Sequence, residues 1–408
     1  MVDVVTPSRR TKSDARLRTL VLISAAHWVS HFHMLVLPML FPFLKTALNI
    51  DYIDLGFALT VFAVVSALTQ APVGYLVDHF GARRILLLGL CLGGASLALI
   101  GIHLSYPILI TSAILLGLAN SVYHPADYAI LDAHMDGARM GRAFSIHTFA
   151  GYLGGAMAPM IVAALMTSLG GVTALVVCGV VGPLVAVLLL VFGVPEAGAN
   201  RRKAGSGHTL QQSIITPVLI MLTIFFMLLG LSTSGISSFG VVALMNGFSA
   251  SFSTANVALT AYLAASAIGV LAGGFLADRT DRHSHVAVFC FAINAAVLLL
   301  IALVALPSTL LTTTMAIAGF LGGMIAPSRD MLVRKAAPEG GAGRAFGIVS
   351  TGFNFSGILS PLLFGWLMDQ GLPRWVFIIS ALFMALTVVL TLFTERKREP
   401  DDARVGAA

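Results

Sequence analysis

Gly141-Arg142-Ala143-Phe144 is written a second time 202 residues later, as Gly343-Arg344-Ala345-Phe346, and this repetition decides how the chain is built. At the same offset Pro125 matches Pro327 and Pro159 matches Pro361. A second stretch, Gly74-Tyr75-Leu76-Val77-Asp78, recurs at an offset of 200 as Gly274-Phe275-Leu276-Ala277-Asp278. The chain has 408 residues, so both offsets lie close to half its length. It consists of two copies of one unit.

Composition says what the unit is. Hydrophobic residues make up 58% of the chain and charged residues 10%, whereas a soluble domain carries about a quarter charged residues. At about 20 residues per crossing, apolar stretches begin near Thr19, Asp54, Arg84, Pro107, Gly141, Thr173, Ser213, Phe252, His285, Ser308, Gly343 and Arg374. The longest hydrophilic interruption, Pro195 to Gln212, carries Arg201, Arg202 and Lys203 among glycines and serines and reads as a flexible linker. The expectation is an all-α polytopic membrane protein. Twelve transmembrane helices form two six-helix bundles, residues 1–194 and 213–408, related by a pseudo-two-fold repeat and joined by the cytoplasmic linker 195–212. The basic N-terminal tail leads into an apolar run too long for a signal peptide and without a small-residue cleavage site. Cys91, Cys178 and Cys290 each sit in an apolar run, so no disulfide framework or zinc spacing is present.

Positive charge collects on cytoplasmic loops of membrane proteins. Of the 24 Lys and Arg residues, 21 fall on the two tails, the linker and alternate loops, leaving Lys45 and Arg374 opposite and Arg329 within a span. Both termini are therefore expected in the cytoplasm. The net charge of +6 is a topology signal and calls for no nucleic-acid partner.

Between the second and third spans stands Gly74-x-Leu76-x-Asp78-x-x-Gly81-x-Arg83-Arg84, with a degenerate copy, Gly274 to His283 and including Asp278, between the eighth and ninth. With the duplication, this pattern resembles the major facilitator superfamily. The resemblance implies alternating access, a cavity lined by spans 1, 4, 7 and 10, and a cytoplasmic gate in which Asp78 and the arginines bridge helices. His79 stands where the family usually has a basic residue, and Asp281 replaces the second copy's glycine. The alternative for Asp78, Arg83 and Arg84 is that they cap helices around a tight turn at Gly81. The first span, with His27 and His31 followed by Pro38 and Pro42, and the step His124-Pro125 look similar to fosmidomycin-resistance-like exporters of the bacterial inner membrane. The family's antiporter pattern in the fifth span is only approximated by Gly154-x-x-x-Ala158-Pro159. Gly151, Gly154, Gly155 and Ala158 read rather as close helix packing.

Ionisable groups at membrane depth are costly and mark pathways. The fourth span carries Asn120, His124 and Asp127 at helical spacing; the first carries His27, His31 and His33; the tenth carries Arg329 and Asp330. From the helical rise, His27 lies roughly 12 Å in, His31 18 Å, His124 14 Å, Asp127 9 Å and His147 of the fifth span 8 Å. These levels allow His27, His31, His124, Asp127 and His147 to converge. Imidazole titrates near neutral pH, so a histidine paired with Asp127 can take up and release a proton; the alternative is satisfied interior histidines joining helices. His33 points elsewhere. Asp132 is expected at the loop end beside Arg139 and Arg142. Arg329 occupies in the second half the position of Asp127 in the first, and either binds an anionic substrate or forms a structural pair with Asp127 or Asp330. Hydroxyls at Ser232, Thr233, Ser234, Ser237 and Ser238 suit a gating seventh span. Tyr262, Asn354 and Ser356 can hydrogen-bond a solute.

These residues favour a proton-coupled secondary transporter of a small organic solute or drug, with Arg329 favouring an anionic one. The alternative is a carrier of a divalent transition metal or its chelate, held by His27, His31, His124 and Asp127 with His147 nearby. No nucleophile-base set, phosphate loop or HExxH motif points to an enzyme. The expected partners are a small-molecule substrate, protons and the lipid bilayer. A monomer without a cofactor is expected.

Overall fold

The structure, a computed structural model, describes residues 9–135, 140–194, 196–197, 216–277, 279–280, 282–337 and 342–405. The described residues form α1 (Arg9–Met39), α2 (Phe41–Leu48), α3 (Tyr52–Phe80), α4 (Ala82–Ile102), α5 (Tyr106–His134), α6 (Met140–Leu169), α7 (Gly171–Val191), α8 (Pro217–Phe248), α9 (Phe252–Ala277), α10 (His283–Leu303), α11 (Ser308–Ala336), α12 (Ala342–Asp369) and α13 (Trp375–Val405). All but the short α2 are long and apolar enough to cross a membrane, giving 12 spans. Helices are the expected outcome, since hydrocarbon offers no partner for backbone N–H and C=O groups and a helix pairs them within itself.

Most helices start within two residues of the expected segment starts. α8 begins four residues after Ser213, and α1 begins ten residues early, because the charged residues before Thr19 are good helix formers that need no bilayer. The chain resumes at Thr216, whose side chain accepts the N–H of Leu219 and caps α8; Ser213, Arg139, Asp278, Asp281 and nearly all of the linker lie outside the described residues. α3 and α4 are separated by Gly81 alone, at φ 97°, a left-handed value that favours glycine. α2 ends at Asn49, also left-handed at φ 52°.

The chain divides into two compact units. One takes the chain up to Val36, Val65–Gly155 and the chain from Ser168 into the linker; the other takes Leu37–Val64, Ala156–Thr167 and the chain beyond the linker. The first packs α4 against α5 and α7. A Cβ at Gly94 would overlap the carbonyl of Gly179, and one at Gly101 would come within 2.9 Å of that of Val172. In the second unit α9 and α11 cross through Gly269, Gly273, Gly319 and Gly323, each against a backbone carbonyl of the facing helix. Small residues at four-residue spacing give helices in lipid the close approach on which their packing depends. α8 and α13 are tied by two reciprocal bonds, Ser232 Oγ to Ser380 O at 2.8 Å and Ser380 Oγ to Ser232 O at 3.0 Å.

Candidate functional site

In the first unit α1, α5 and α6 bring four histidines around one carboxylate. Asp127 of α5 is fully buried, and His147 of α6, equally buried, places Nε2 3.0 Å from Asp127 Oδ2. His27 of α1 lies behind that pair, with Nδ1 3.6 Å from the same oxygen. Its ring stacks on His147 at 3.9 Å and 20°. His31 meets His27 edge-on at 4.8 Å, and His124 lies 5.2 Å from it.

Glycines on α6 make the approach possible. A side chain at Gly151 would fall 2.7 Å from the His27 ring and 2.8 Å from that of His31, and a Cβ at Gly154 would run into the backbone of Trp28. Asp127 Oδ1 and the Nδ1 atoms of His27, His124 and His147 are buried with no hydrogen-bond partner among the described residues. The carboxylate therefore has one oxygen engaged and one in reserve, among imidazoles that can each gain or lose a proton.

Other expected site residues stand apart from this cluster. Asn120 donates through Nδ2 to Ser66 Oγ of α3 at 2.8 Å. His33 turns away, its Nε2 3.0 Å from the carbonyl of Cys178. Asp132 lies inside the last turns of α5, exposed, rather than in a loop. In the second unit Tyr262 is buried on α9, its backbone against Gly319, and Asn354 is exposed on α12. Ser356 Oγ donates to the carbonyl of Phe353, within its own helix.

Arg329 of α11 is nearly buried and paired: Nε and Nη2 both lie 2.8 Å from Oδ1 of Asp330, a half-exposed neighbour. Two phenylalanines pack side by side against the guanidinium, Phe226 of α8 at 4.7 Å and Phe353 of α12 at 5.3 Å, with their own ring centroids 4.9 Å apart. Such a ring pair holds a planar cation while leaving the remaining N–H donors free to meet a second anion. Gly151 is the counterpart of Phe353 at the 202 offset. One half thus uses the position to admit histidine rings, and the other fills it with an aromatic wall.

The motif after α3 is built around a residue beyond it. Glu196 Oε1 accepts the backbone N–H of Arg83 at 2.8 Å, the carbonyl of Ala197 accepts that of Ala82 at 2.8 Å, and Arg84 Nε stands 4.0 Å from Glu196 Oε2. Gly81 makes the turn, and a Cβ there would collide with the Glu196 carboxylate. Asp78 is exposed, as is Arg84. Gly74 and Gly274 have open space where a Cβ would lie.

The major facilitator superfamily model matches residues 23–241 and again residues 220–407. The chain belongs to the major facilitator superfamily. As members of this superfamily are transporters, the buried polar residues belong to a transporter and not to an enzyme. The fosmidomycin resistance protein of Escherichia coli (strain K12) is 27% identical over 286 residues, 67% of this chain and 68% of that protein. The multidrug resistance protein MdtG of Citrobacter koseri is 34% identical over 133 residues, 33% of this chain and 32% of that one. The bacterial homolog of the human lysosomal transporter Spinster superposes with a TM-score of 0.77 at 15% identity, covering 96% of this chain and 98% of that one.

Against this superfamily fold, four partners escaped the sequence reading. Tyr128 lies 5.6 Å from both His124 and His147; its spacing of four from His124 was a legible signal. Phe226 and Phe353 were hidden among many apolar residues. Glu196 fell at the start of the expected linker, where a charge suggests only solvation.

Proposed function

We propose that the chain is a proton-coupled transporter working by alternating access, moving a small anionic organic solute or drug across the cytoplasmic membrane of a bacterium. A cytoplasmic position of both termini is supported by the 21 of 24 Lys and Arg residues on one side. The observation that carries the reading is the buried Asp127–His147 pair, backed by His27, His31 and His124. A carboxylate in hydrocarbon surroundings is tolerable when neutralised, and a shared proton between carboxylate and imidazole neutralises it. When solute or voltage changes the surroundings, the proton moves to another imidazole or to water, which couples proton traffic to the transport cycle. Arg329, packed against the neighbouring rings of Phe226 and Phe353, supports an anionic solute group. Export is supported by the resistance proteins among the relatives.

The test uses purified protein in liposomes. A thermal-shift screen of fosmidomycin, other phosphonates and carboxylates finds a ligand by the stability it adds. Uptake of that ligand is then driven by a pH gradient. Asp127→Asn abolishes gradient-driven accumulation while leaving solute exchange; accumulation that persists in this variant removes Asp127 as the proton site.

Carriage of a divalent transition metal is the second reading, favoured by His27, Asp127 and His147 offering ligand atoms within 4.8 Å of one another. This set exchanges the expected His31 and His124 for His147. Imidazole binds a metal along a lone pair lying in the ring plane, and the His27 and His147 planes are nearly parallel, stacked at 3.9 Å. One ion cannot lie in both planes. The metal reading therefore needs a ring rotation that the proton reading does not. Saturable Zn²⁺ binding to the purified protein, lost in a variant combining His27→Ala and His124→Ala, would favour it.

A further inference from the structure

α3 lies antiparallel against α12 along a run of contacts in the second compact unit. At its tip Asp369, the last residue of α12, accepts the backbone N–H of Tyr52 through Oδ1 at 2.9 Å and that of Ile53 through Oδ2 at 2.7 Å. These donors belong to the first turn of α3, where a helix has no partners of its own for them. A residue more than 300 positions away in sequence thus caps α3. Lys45 of α2 adds its ammonium, 3.7 Å from Asp369 Oδ1 and 2.8 Å from Asp51 Oδ1. Partial desolvation of that ammonium is outweighed by its bond to Asp51 and the charges of Asp51 and Asp369, so the pKa of Lys45 stands above its ordinary value. It stays charged at any physiological pH.

Below the tip the contact is smooth. Gly56 faces the carbonyl of Pro361, Gly365 faces the backbone of Tyr52 and Ile53, and Gly357 faces Ala63. One further hydrogen bond, Thr60 Oγ1 to the carbonyl of Ile358 at 2.9 Å, crosses the seam. Gly56, Gly357 and Gly365 give this face little relief, so parting the helices there means breaking the Thr60 bond and the contacts at the tip. The holding charge is concentrated at the water-facing end, where released N–H groups and carboxylate are readily hydrated. A permanent structural seam gains nothing from this distribution; one that opens and recloses does.

We propose that Asp369 is the clasp of an outer gate: its carboxylate holds the start of α3 to the end of α12 while the non-cytoplasmic end is shut, and lets go when that end opens. The clasp rests on the alternating-access reading and on the cytoplasmic placement of the termini. Asp369 is a positioning residue and need not touch the solute. The clasp draws on both halves of the duplicated chain, since α3 belongs to the first and α12 to the second.

The experiment reads side-specific access and needs no known substrate. In a background with Cys91, Cys178 and Cys290 changed to Ser, Ala63→Cys serves as reporter, labelled in intact cells by a membrane-impermeant maleimide. Asp369→Ala raises the labelling rate by about tenfold or more, the effect of shifting a gate by one decade. Asp369→Asn, which keeps one acceptor oxygen, falls between and stands alone as the test if the alanine variant does not fold. A second measurement pairs Ala63→Cys with Gly357→Cys. A Cβ at residue 357 lies 3.5 Å from that of Ala63, within disulfide range, and the disulfide yield falls in Asp369→Ala. Equal, finite labelling with and without Asp369 overturns the clasp and leaves alternating access standing. Complete protection of residue 63 in every variant overturns alternating access at this end, and the clasp with it.

Discussion

Asp127 and His147 lie on consecutive long helices, 20 residues apart, and meet through Oδ2 and Nε2 at 3.0 Å with neither side chain open to solvent. The bond welds α5 to α6 at the level where α1 delivers His27. Its strength is conditional. A buried pair is worth little against an apolar substitute but much against its own half, because the survivor is left uncompensated. His147→Ala should destabilise the folded protein by about 3–5 kcal/mol if Asp127 stays charged. Adding Asp127→Asn to that variant should recover part of the loss, a coupling of about 0.5–3 kcal/mol between neighbours. Thermal unfolding of the four proteins in one detergent measures it. Strictly additive shifts would mean that the two groups do not act as a pair.

Arg329 presents a planar cation against two neighbouring rings, and planarity is what the variants probe. Arg329→Gln keeps a polar side chain but loses the charge. The apparent affinity for an anionic solute should fall roughly ten- to a hundredfold, the value of one charge-assisted bond. Arg329→Lys restores charge without the planar fork that lies against Phe226 and Phe353, and should recover less than half of the lost binding energy. Titration of the solute against purified protein decides. Full affinity in Arg329→Gln would reduce the Arg329–Asp330 contact to a structural pair.

The spans were legible because length and polarity in a bilayer leave few alternatives. The membership of the histidine cluster was legible too, since buried imidazoles and a carboxylate at matching depth have few ways to be satisfied. Which atom meets which was not. Spacing made His27 and His31 a pair of equals, yet Asp127 bonds to His147, because Gly151 lets α6 slide close enough to stack His147 on His27. Phe226 lies about a hundred residues before Arg329, and a phenylalanine in a membrane span announces nothing. α2 was absorbed into the proline-marked end of the first span, where eight residues carry too little periodicity to stand out.

Gly154 carries a test of packing. Its Cα rests on the backbone of Trp28, and a Cβ there would overlap backbone that cannot swing aside. Gly154→Ala should therefore cost about 1–3 kcal/mol, as overpacking does, and should also push α6 away from α1 and weaken the contact of His147 with His27. Gly155→Ala, one residue on, places its Cβ 3.6 Å from a Leu35 methyl, an ordinary contact, and should be close to neutral. Unfolding midpoints of the two variants against the parent protein provide the comparison. Equal effects would show that α6 has freedom to shift at this crossing.

Glu196 offers the last contrast, between a cap and a surface ion pair. Its Oε1 accepts the N–H of Arg83 in the first turn of α4, where the helix lacks internal partners. Its approach to Arg84 is 4.0 Å, on a side chain 76% exposed. Removing a cap acceptor costs about 0.5–2 kcal/mol, whereas an exposed ion pair contributes about 0–1 kcal/mol. Glu196→Ala should therefore lower the unfolding midpoint clearly and Arg84→Ala barely. Glu196→Gln, which keeps an acceptor oxygen but no charge, should sit near the parent protein in high salt. If Arg84→Ala costs as much as Glu196→Ala, the ion pair and not the cap holds the end of α7 to the motif. The transport cycle would then bear on that pair through ionic strength.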